Sequence, residues 1–142
     1  MNTEMFSHIN WLAVLVAAIA YFMLGAIWYS KPLFAPKWSK LVGIDMSNPD
    51  PNMKKGLAGM MIGSLILIII VCIALAMLVV RMDLFILSSG LKLGALTGIC
   101  FATTSVAISF IYEKRPLALY FIDCGYHVVG NLIAAVILVM WR

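Results

Sequence analysis

Asp123, His127 and Asn131 stand four residues apart inside an apolar run, Leu117–Trp141, which reads LALYFIDCGYHVVGNLIAAVILVMW. On an α-helix each step of four turns about 40°, so the three side chains share one side and span roughly 12 Å. An acid and an imidazole at this spacing can trade a proton. The pair can be carboxylate with imidazolium or acid with neutral imidazole, at the same total charge, and the two groups then titrate as one unit. Tyr120, Gly130, Ala134 and Trp141 fall on the same side. Ile122, Val128, Val129, Leu132 and Val136 fall away from it, toward the expected lipid. Counting from Leu117, Asp123 lies roughly 9 Å and His127 about 15 Å along the helix axis. A lone carboxylate at such depth costs about 2.5–3.5 kcal/mol on insertion scales. The polar face therefore needs another helix or a cavity to cover it.

The elements that position this stripe follow from composition. Hydrophobic residues make up 64% of the chain and charged residues 11%, against about half and about a quarter in a soluble domain. The apolar residues fall into blocks at about 9–29, 52–80, 89–112 and 116–141, each long enough to cross roughly 30 Å of hydrocarbon. Barrel strands would be about half as long and would alternate. The expected fold is all-α: an integral membrane four-helix bundle, one domain over residues 1–142, with a short interfacial amphipathic helix at about 34–42. The opening MNTEMFSH lacks a basic n-region, so the first block is expected to be a retained anchor. Cys72, Cys100 and Cys124 fall in separate blocks without a CxxC pair, so free thiols are expected, with no metal and no cofactor.

Charge sets the expected orientation. Lys31, Lys37, Lys40, Lys54 and Lys55 lie in the first connection, and Lys114 and Arg115 in the third. Arg81, Lys92 and Arg142 mark the opposite side. The positive-inside rule places the Lys-rich loops in the cytoplasm of a bacterium, with both termini outside the inner membrane. The net charge of +4 follows the same rule and requires no nucleic-acid partner. Phe34, Trp38 and Leu41 fall at i, i+4 and i+7, Lys37 and Lys40 point elsewhere, and Pro36 suits a first helical turn. This helix is expected in the headgroup zone, lysines toward anionic lipid. Trp28, Tyr29 and Lys31 belong to the same interfacial belt. Asp50-Pro51 reads as a cap followed by Pro, with SNPDPN as the turn around it. Ser88 and Ser89 are candidate caps for the third helix.

Helices in lipid gain most from close backbone approach and hydrogen bonds. The third block carries Gly90, Gly94 and Gly98 on one stripe, with Thr97, Thr104 and Ser105 on or beside it and Ile99, Val106 and Phe110 opposite. The second carries Gly59 and Gly63. In the first, Ala17, Ala18, Tyr21, Gly25 and Trp28 share a face, and in the fourth Gly130 eases backbone contact. Whether a glycine stripe packs within one chain or between chains stays open. Four short helices leave little room for an internal pathway, so a homo-oligomer is expected. In an antiparallel hairpin of the last two helices, Asp123 lies near the level of Ser105 and Ser109. His127 lies near Thr103 and Thr104, and Asn131 near Thr97 and Gly98. A ladder of hydroxyls would then face the stripe. Tyr21, Tyr120 and Tyr126 read as core packing with satisfied hydroxyls.

One resemblance is carried by INWLAVLVAAIAYFMLGAIWYSKPLFAPKW, residues 9–38, through Phe22, Gly25, Trp28, Tyr29, Pro32, Leu33, Phe34 and Trp38. It resembles the opening of a bacterial membrane family known as the domain of unknown function numbered 1761. The close of the chain, from Asp123 and Tyr126 to Trp141, is similar to that family's last helix. The resemblance implies a four-helix inner-membrane protein and transfers no activity or substrate.

The residues support two functional classes. One is an oligomeric channel or proton-linked carrier of small solutes, with Asp123, His127, Asn131, Thr104, Thr97 and Ser105 along the pathway. The other is a membrane subunit that stabilises or regulates a larger complex through a glycine stripe or the Lys-rich helix. In that class Asn131 serves as interhelical glue. An enzyme is not expected, because no serine nucleophile motif, metal cluster or nucleotide loop accompanies the acid and the histidine.

Overall fold

The computed structural model describes residues 4–44 and 51–142, with side chains described for 6–44 and 56–142. The chain is all helical: α1 (Glu4–Ser7), α2 (Trp11–Trp28), α3 (Ala35–Val42), α4 (Pro51–Arg81), α5 (Leu87–Ala95), a π-helical segment (Leu96–Thr103), α6 (Thr104–Tyr112) and α7 (Leu117–Met140). Among the described residues four stretches are long and apolar enough to cross a bilayer: Trp11–Trp28, Gly56–Arg81, Leu87–Tyr112 and Leu117–Met140. The protein is thus a multi-pass helical membrane protein in contact with lipid, and the short helix α3 sits in the first connection. Asp50, the expected cap of the second span, and most of the SNPDPN turn lie outside the described residues.

Helix ends follow local chemistry, with one exception. Asn10 caps α2, its side chain accepting from the Ala13 N–H at 3.1 Å, which satisfies one of the unpaired donors of a first turn. Pro116 immediately precedes α7. Helix α5 departs from expectation: Ile86 stands at its cap position without a side-chain hydrogen bond. Ser88 and Ser89 fall inside the first turn.

Helix α7 is the centre of the molecule. It packs against α2, α3, α4, α5, the π segment and α6. Of the α7 residues expected to meet lipid, Ile122 is only 4% exposed, which corrects that position, whereas Val128, Val129, Leu132 and Val136 stay half-buried, with Val128, Leu132 and Val136 set against the glycines of the third span. The glycines are the reason. A Cβ on Gly94 would stand 2.6 Å from the Leu132 Cα, one on Gly98 2.9 Å from the Val128 Cα, and one on Gly90 3.2 Å from the Val136 Cα. Removing those methyls lets the two backbones touch, so this stripe packs within the chain.

The stripe on α4 has no such partner. A Cβ on Gly59 or Gly63 would meet nothing within 4 Å, so the packing role expected for them finds no counterpart in this chain. Gly59→Ala and Gly63→Ala are each expected to stabilise the isolated protein by about 0.5–1 kcal/mol, the usual gain of Ala over Gly in a helix. Thermal unfolding in mild detergent measures it, and a loss of stability would mean another molecule covers that face.

The core fills only one half of the bundle. Ala13, Ala17, Cys72, Leu75, Ala135 and Leu138 belong to it, at the end that carries both termini. That end is also tied: Asn10 Nδ2 donates to the Trp141 carbonyl at 3.2 Å, and Arg142 pairs with Asp83 at 2.7 Å. Toward the Lys-rich end, α4 between Gly56 and Leu67 buries no residue. It stands away from the bundle and leaves a gap opposite α6.

The third span is not one uniform helix. Gly90, Gly94 and Gly98 meet α7 in steps of four. Beyond them Thr103, five residues after Gly98, accepts at its carbonyl from Cys124 Sγ at 3.9 Å, only four residues along α7 from Val128. One residue has been absorbed by the π segment. Its carbonyls take hydroxyl donors: Thr103 Oγ1 donates to Gly98 O at 2.9 Å, Thr104 Oγ1 to Cys100 O at 2.6 Å and Ser105 Oγ to Phe101 O at 2.8 Å. The extra residue rotates the remainder of the span by about 100°. Ile99 stays outside at 52% exposure. Val106 and Phe110, expected on the lipid side, turn inward and line cavities instead.

Candidate functional site

Helix α7 presents Asp123, His127 and Asn131, and α2 supplies a tyrosine for each end of the stripe. Tyr21 reaches the deep end because position 130 is glycine; a Cβ there would overlap the Tyr21 ring. The ring is 2% exposed. Its hydroxyl lies 3.1 Å from His127 Nδ1 and 3.3 Å from the His127 carbonyl. Asn131 Nδ2 donates to that hydroxyl at 3.3 Å and to the His127 carbonyl at 2.8 Å. A tyrosine hydroxyl has one proton to give. It goes to Nδ1 when that nitrogen is bare, and to the carbonyl when Nδ1 is protonated. The cluster therefore accommodates both forms of the ring without moving a heavy atom.

At the shallow end, Tyr29 Oη donates to Asp123 Oδ1 at 2.8 Å. Burial, and next the adjacent carboxylate, push the Tyr29 phenol above its ordinary range, so it stays a donor. Trp28 Nε1 donates to the Ile122 carbonyl at 3.0 Å and pins the end of α2 to α7. Tyr126 stands between the two clusters, its ring centroid 5.4 Å from Tyr21, 5.6 Å from Tyr29 and 5.0 Å from His127.

The structure places the remaining site candidates unevenly. Among the described contacts Asp123 and His127 share no direct hydrogen bond; each is held by its own tyrosine. The hydroxyl ladder does not form either. Thr97 donates to Leu93 O at 2.9 Å, and Thr104 and Ser105 likewise serve their own helix. A hydroxyl in lipid reaches the carbonyl one turn back more readily than a neighbouring helix. Thr97 and Ser105 still line a cavity with His127 and Asn131. Thr104 is exposed and lines neither cavity, because the π segment has turned it outward.

Helix α3 also departs from its expected place. Phe34 and Trp38 turn back onto the bundle rather than outward to headgroups, with ring centroids 4.9 Å from Trp28 and 5.6 Å from Tyr29 respectively. Small buried residues, Ala35 and Ser39, allow the approach. Lys31, Lys37 and Lys40 remain exposed. Sequence reasoning missed Tyr29 as the partner of Asp123 and Trp38 as a wall of its cavity. The signal was present in the WY pair closing α2 and in a connection short enough to fold back.

Two cavities flank the stripe, both bordered by α4, the deeper at Val71, Ala74, Leu75 and Leu78 and the shallower at Leu57, Met60, Met61 and Ser64. The deeper, of ≈ 460 Å³, is bordered by Tyr21, Thr97, Ser105, His127 and Asn131. The shallower, of ≈ 720 Å³, is bordered by Tyr29, Trp38, Asp123, Tyr126 and His127. His127 borders both. Among the described residues no three His, Cys, Asp or Glu side chains gather to hold a metal. Tyr21→Phe removes the hydroxyl that serves both His127 and Asn131. It is expected to lower stability by about 1–3 kcal/mol, the penalty for unpaired buried polar groups, read as a drop in the unfolding temperature.

Residues 12–139 match the family described as "Protein of unknown function (DUF1761)". No match was found among curated proteins or among solved structures. The matched region runs from the first turns of α2 to the last of α7 and includes every residue of the stripe, and the chain belongs to the DUF1761 family.

Proposed function

We propose that the protein is a proton-linked carrier of small solutes, with Asp123 as the proton-exchanging acid and His127 as the group joining its two cavities. One observation carries this reading. Asp123, the single acid of the four spans, borders the ≈ 720 Å³ cavity, and His127, one turn deeper, borders both that space and the ≈ 460 Å³ one. The terminal end is packed shut, whereas the Lys-rich half is open beside α4. A terminal end closed by packing suits a carrier that alternates between two openings better than a continuous pore. Asn131 positions His127, and Thr97 and Ser105 wall the deeper space.

The reading includes a place and an orientation. The Lys-rich end faces the cytoplasm of a bacterial inner membrane, with both termini outside. Exposed Lys31, Lys37 and Lys40 meet anionic headgroups. No enzymatic step is part of the proposal. The test is proton-dependent flux in liposomes holding the purified chain. Asp123→Asn and His127→Ala should each change it, and unchanged flux in both variants removes the idea.

A second reading, a homo-oligomer or a subunit of a larger membrane complex, draws on the uncovered Gly59–Gly63 face of α4. Native mass in mild detergent separates these. One chain alone at all concentrations counts against both, a multiple of the chain mass supports the first, and a stoichiometric second protein supports the other.

A further inference from the structure

We infer that the carried solute is a small apolar monocation, a quaternary ammonium or a protonated amine, whose charge is held by Asp123 inside a cage of aromatic rings; the inference rests on the carrier reading above. The cavity beside Asp123 is walled by Tyr29, Trp38, Phe110 and Tyr126, with Met60 and Met61 of α4 opposite. Aromatic faces attract cations, and the attraction grows when water is excluded. The carboxylate supplies one full negative charge in the same space, so the complement carries one positive charge. An anion finds no free donor at the acid, because the nearest hydroxyl, Tyr29 Oη, is already given to Asp123 Oδ1 at 2.8 Å. The other polar groups on the wall are His127, the Tyr126 hydroxyl and Ser64, whose hydroxyl is given to Met61 O at 2.9 Å; the rest of the lining is apolar, which calls for an apolar body on the cation. A volume of ≈ 720 Å³ falls within the range of pockets that bind drug-sized molecules, about 300–1,000 Å³.

Two groups that can be positive act on the carboxylate, Arg115 and, from the same cavity wall, His127, so the site takes a cation with His127 neutral. Arg115, on the turn before α7, is exposed and paired with Glu113 at 2.8 Å. His127 lies one turn deeper, bonded to Tyr21 at 3.1 Å. From α2 and α3 the facing groups are Tyr29 and Trp38, while Lys31, Lys37 and Lys40 are exposed. From α4 the lining residues are Leu57, Met60, Met61 and Ser64, and from α6 Val106 and Phe110; none is charged. A proton and an organic cation then compete for one carboxylate. When the cation enters, the O–H bond of the carboxylic acid breaks and its proton leaves; when a proton returns, the cation is released. One positive charge replaces one positive charge, which is the exchange a proton-linked carrier needs.

The test uses the full chain in lipid nanodiscs with n-hexyltrimethylammonium, a fixed cation that carries no proton of its own. Hexanesulfonate serves as the matched anion and empty nanodiscs as the partitioning background. Binding is read by quenching of tryptophan fluorescence and by proton release to a pH dye. The expected result is saturable binding of the cation with release of protons, at least tenfold tighter than the sulfonate. Affinity should fall at least tenfold in Asp123→Asn and several-fold in Trp38→Leu. Equal binding of both ions overturns the inference, as does cation affinity unchanged in a folded Asp123→Asn. Proton release by the unaltered protein decides the matter if that variant fails to fold: its absence across acidic and neutral pH overturns the exchange. Proton-dependent flux in liposomes without cation preference in nanodiscs discards the solute class and keeps the carrier. Cation binding that needs Asp123, with no proton-dependent flux, keeps the cation site and discards carriage.

Discussion

Asp123→Asn is expected to bring proton-dependent flux down to the level of empty liposomes while the protein stays folded. The amide is close in size and shape to the carboxylate, and its oxygen can still accept from Tyr29, which stands 2.8 Å from Oδ1. What disappears is the capacity to gain and lose a proton. Stability should hold or rise, because an ionisable group within a span costs about 2.5–3.5 kcal/mol that an amide largely avoids. Asp123→Glu should retain part of the flux, since it keeps the acid and misplaces it by one methylene. Proton entry into dye-loaded liposomes, measured beside unfolding temperatures of the same preparations, gives the result. Full flux in a folded Asp123→Asn protein would leave the acid without a transport role.

The largest structural effects are expected at Gly94 and Gly130, and they should differ in kind. At Gly94 an added methyl would meet backbone: the Leu132 Cα at 2.6 Å and the Asn131 carbonyl at 2.8 Å. Neither can rotate away, so α5 and α7 must separate. At Gly130 the obstacle is the Tyr21 ring, which is buried and hydrogen-bonded to His127 and Asn131. Overpacking of this kind typically costs about 1–3 kcal/mol for Ala and more for larger side chains. Gly94→Ala should lower the unfolding temperature with the stripe's own contacts preserved in whatever fraction remains folded. Gly130→Ala should lower it too, and should also uncouple Tyr21 from His127, so its flux falls further than its folded fraction. Gly130→Ala with unchanged stability and flux would contradict the close fit of Tyr21.

Much of the architecture could be read from residue order. The lengths of the apolar blocks gave the four spans, because hydrocarbon thickness sets helix length. The face Ala17, Ala18, Tyr21, Gly25 and Trp28 is the one α2 presents to its neighbours: the first three residues are buried, and Gly25 and Trp28 meet Tyr126 and Ile122. The Pro36-containing stretch is helical within a residue of its expected bounds. What escaped was the choice of neighbour. Periodicity says which residues share a face and not what that face meets. Val128 and Leu132 look lipid-facing until the glycines opposite them are known. Trp38 looks interfacial until α3 is seen folded onto Tyr29. The acid–imidazole stripe was visible from its spacing, but its tyrosine partners come from a helix about a hundred positions earlier, and no local rule connects them.

Because the eight residues Leu96–Thr103 adopt a wider screw, the third span has two phases joined end to end. If single cysteines were walked along it and challenged with a lipid-soluble thiol reagent, the ripple of reactivity would keep one beat through 87–95. It would stretch through the next eight positions and resume out of step from Thr104. The native Cys100, exposed within the stretched part, would have to be replaced before the first reading.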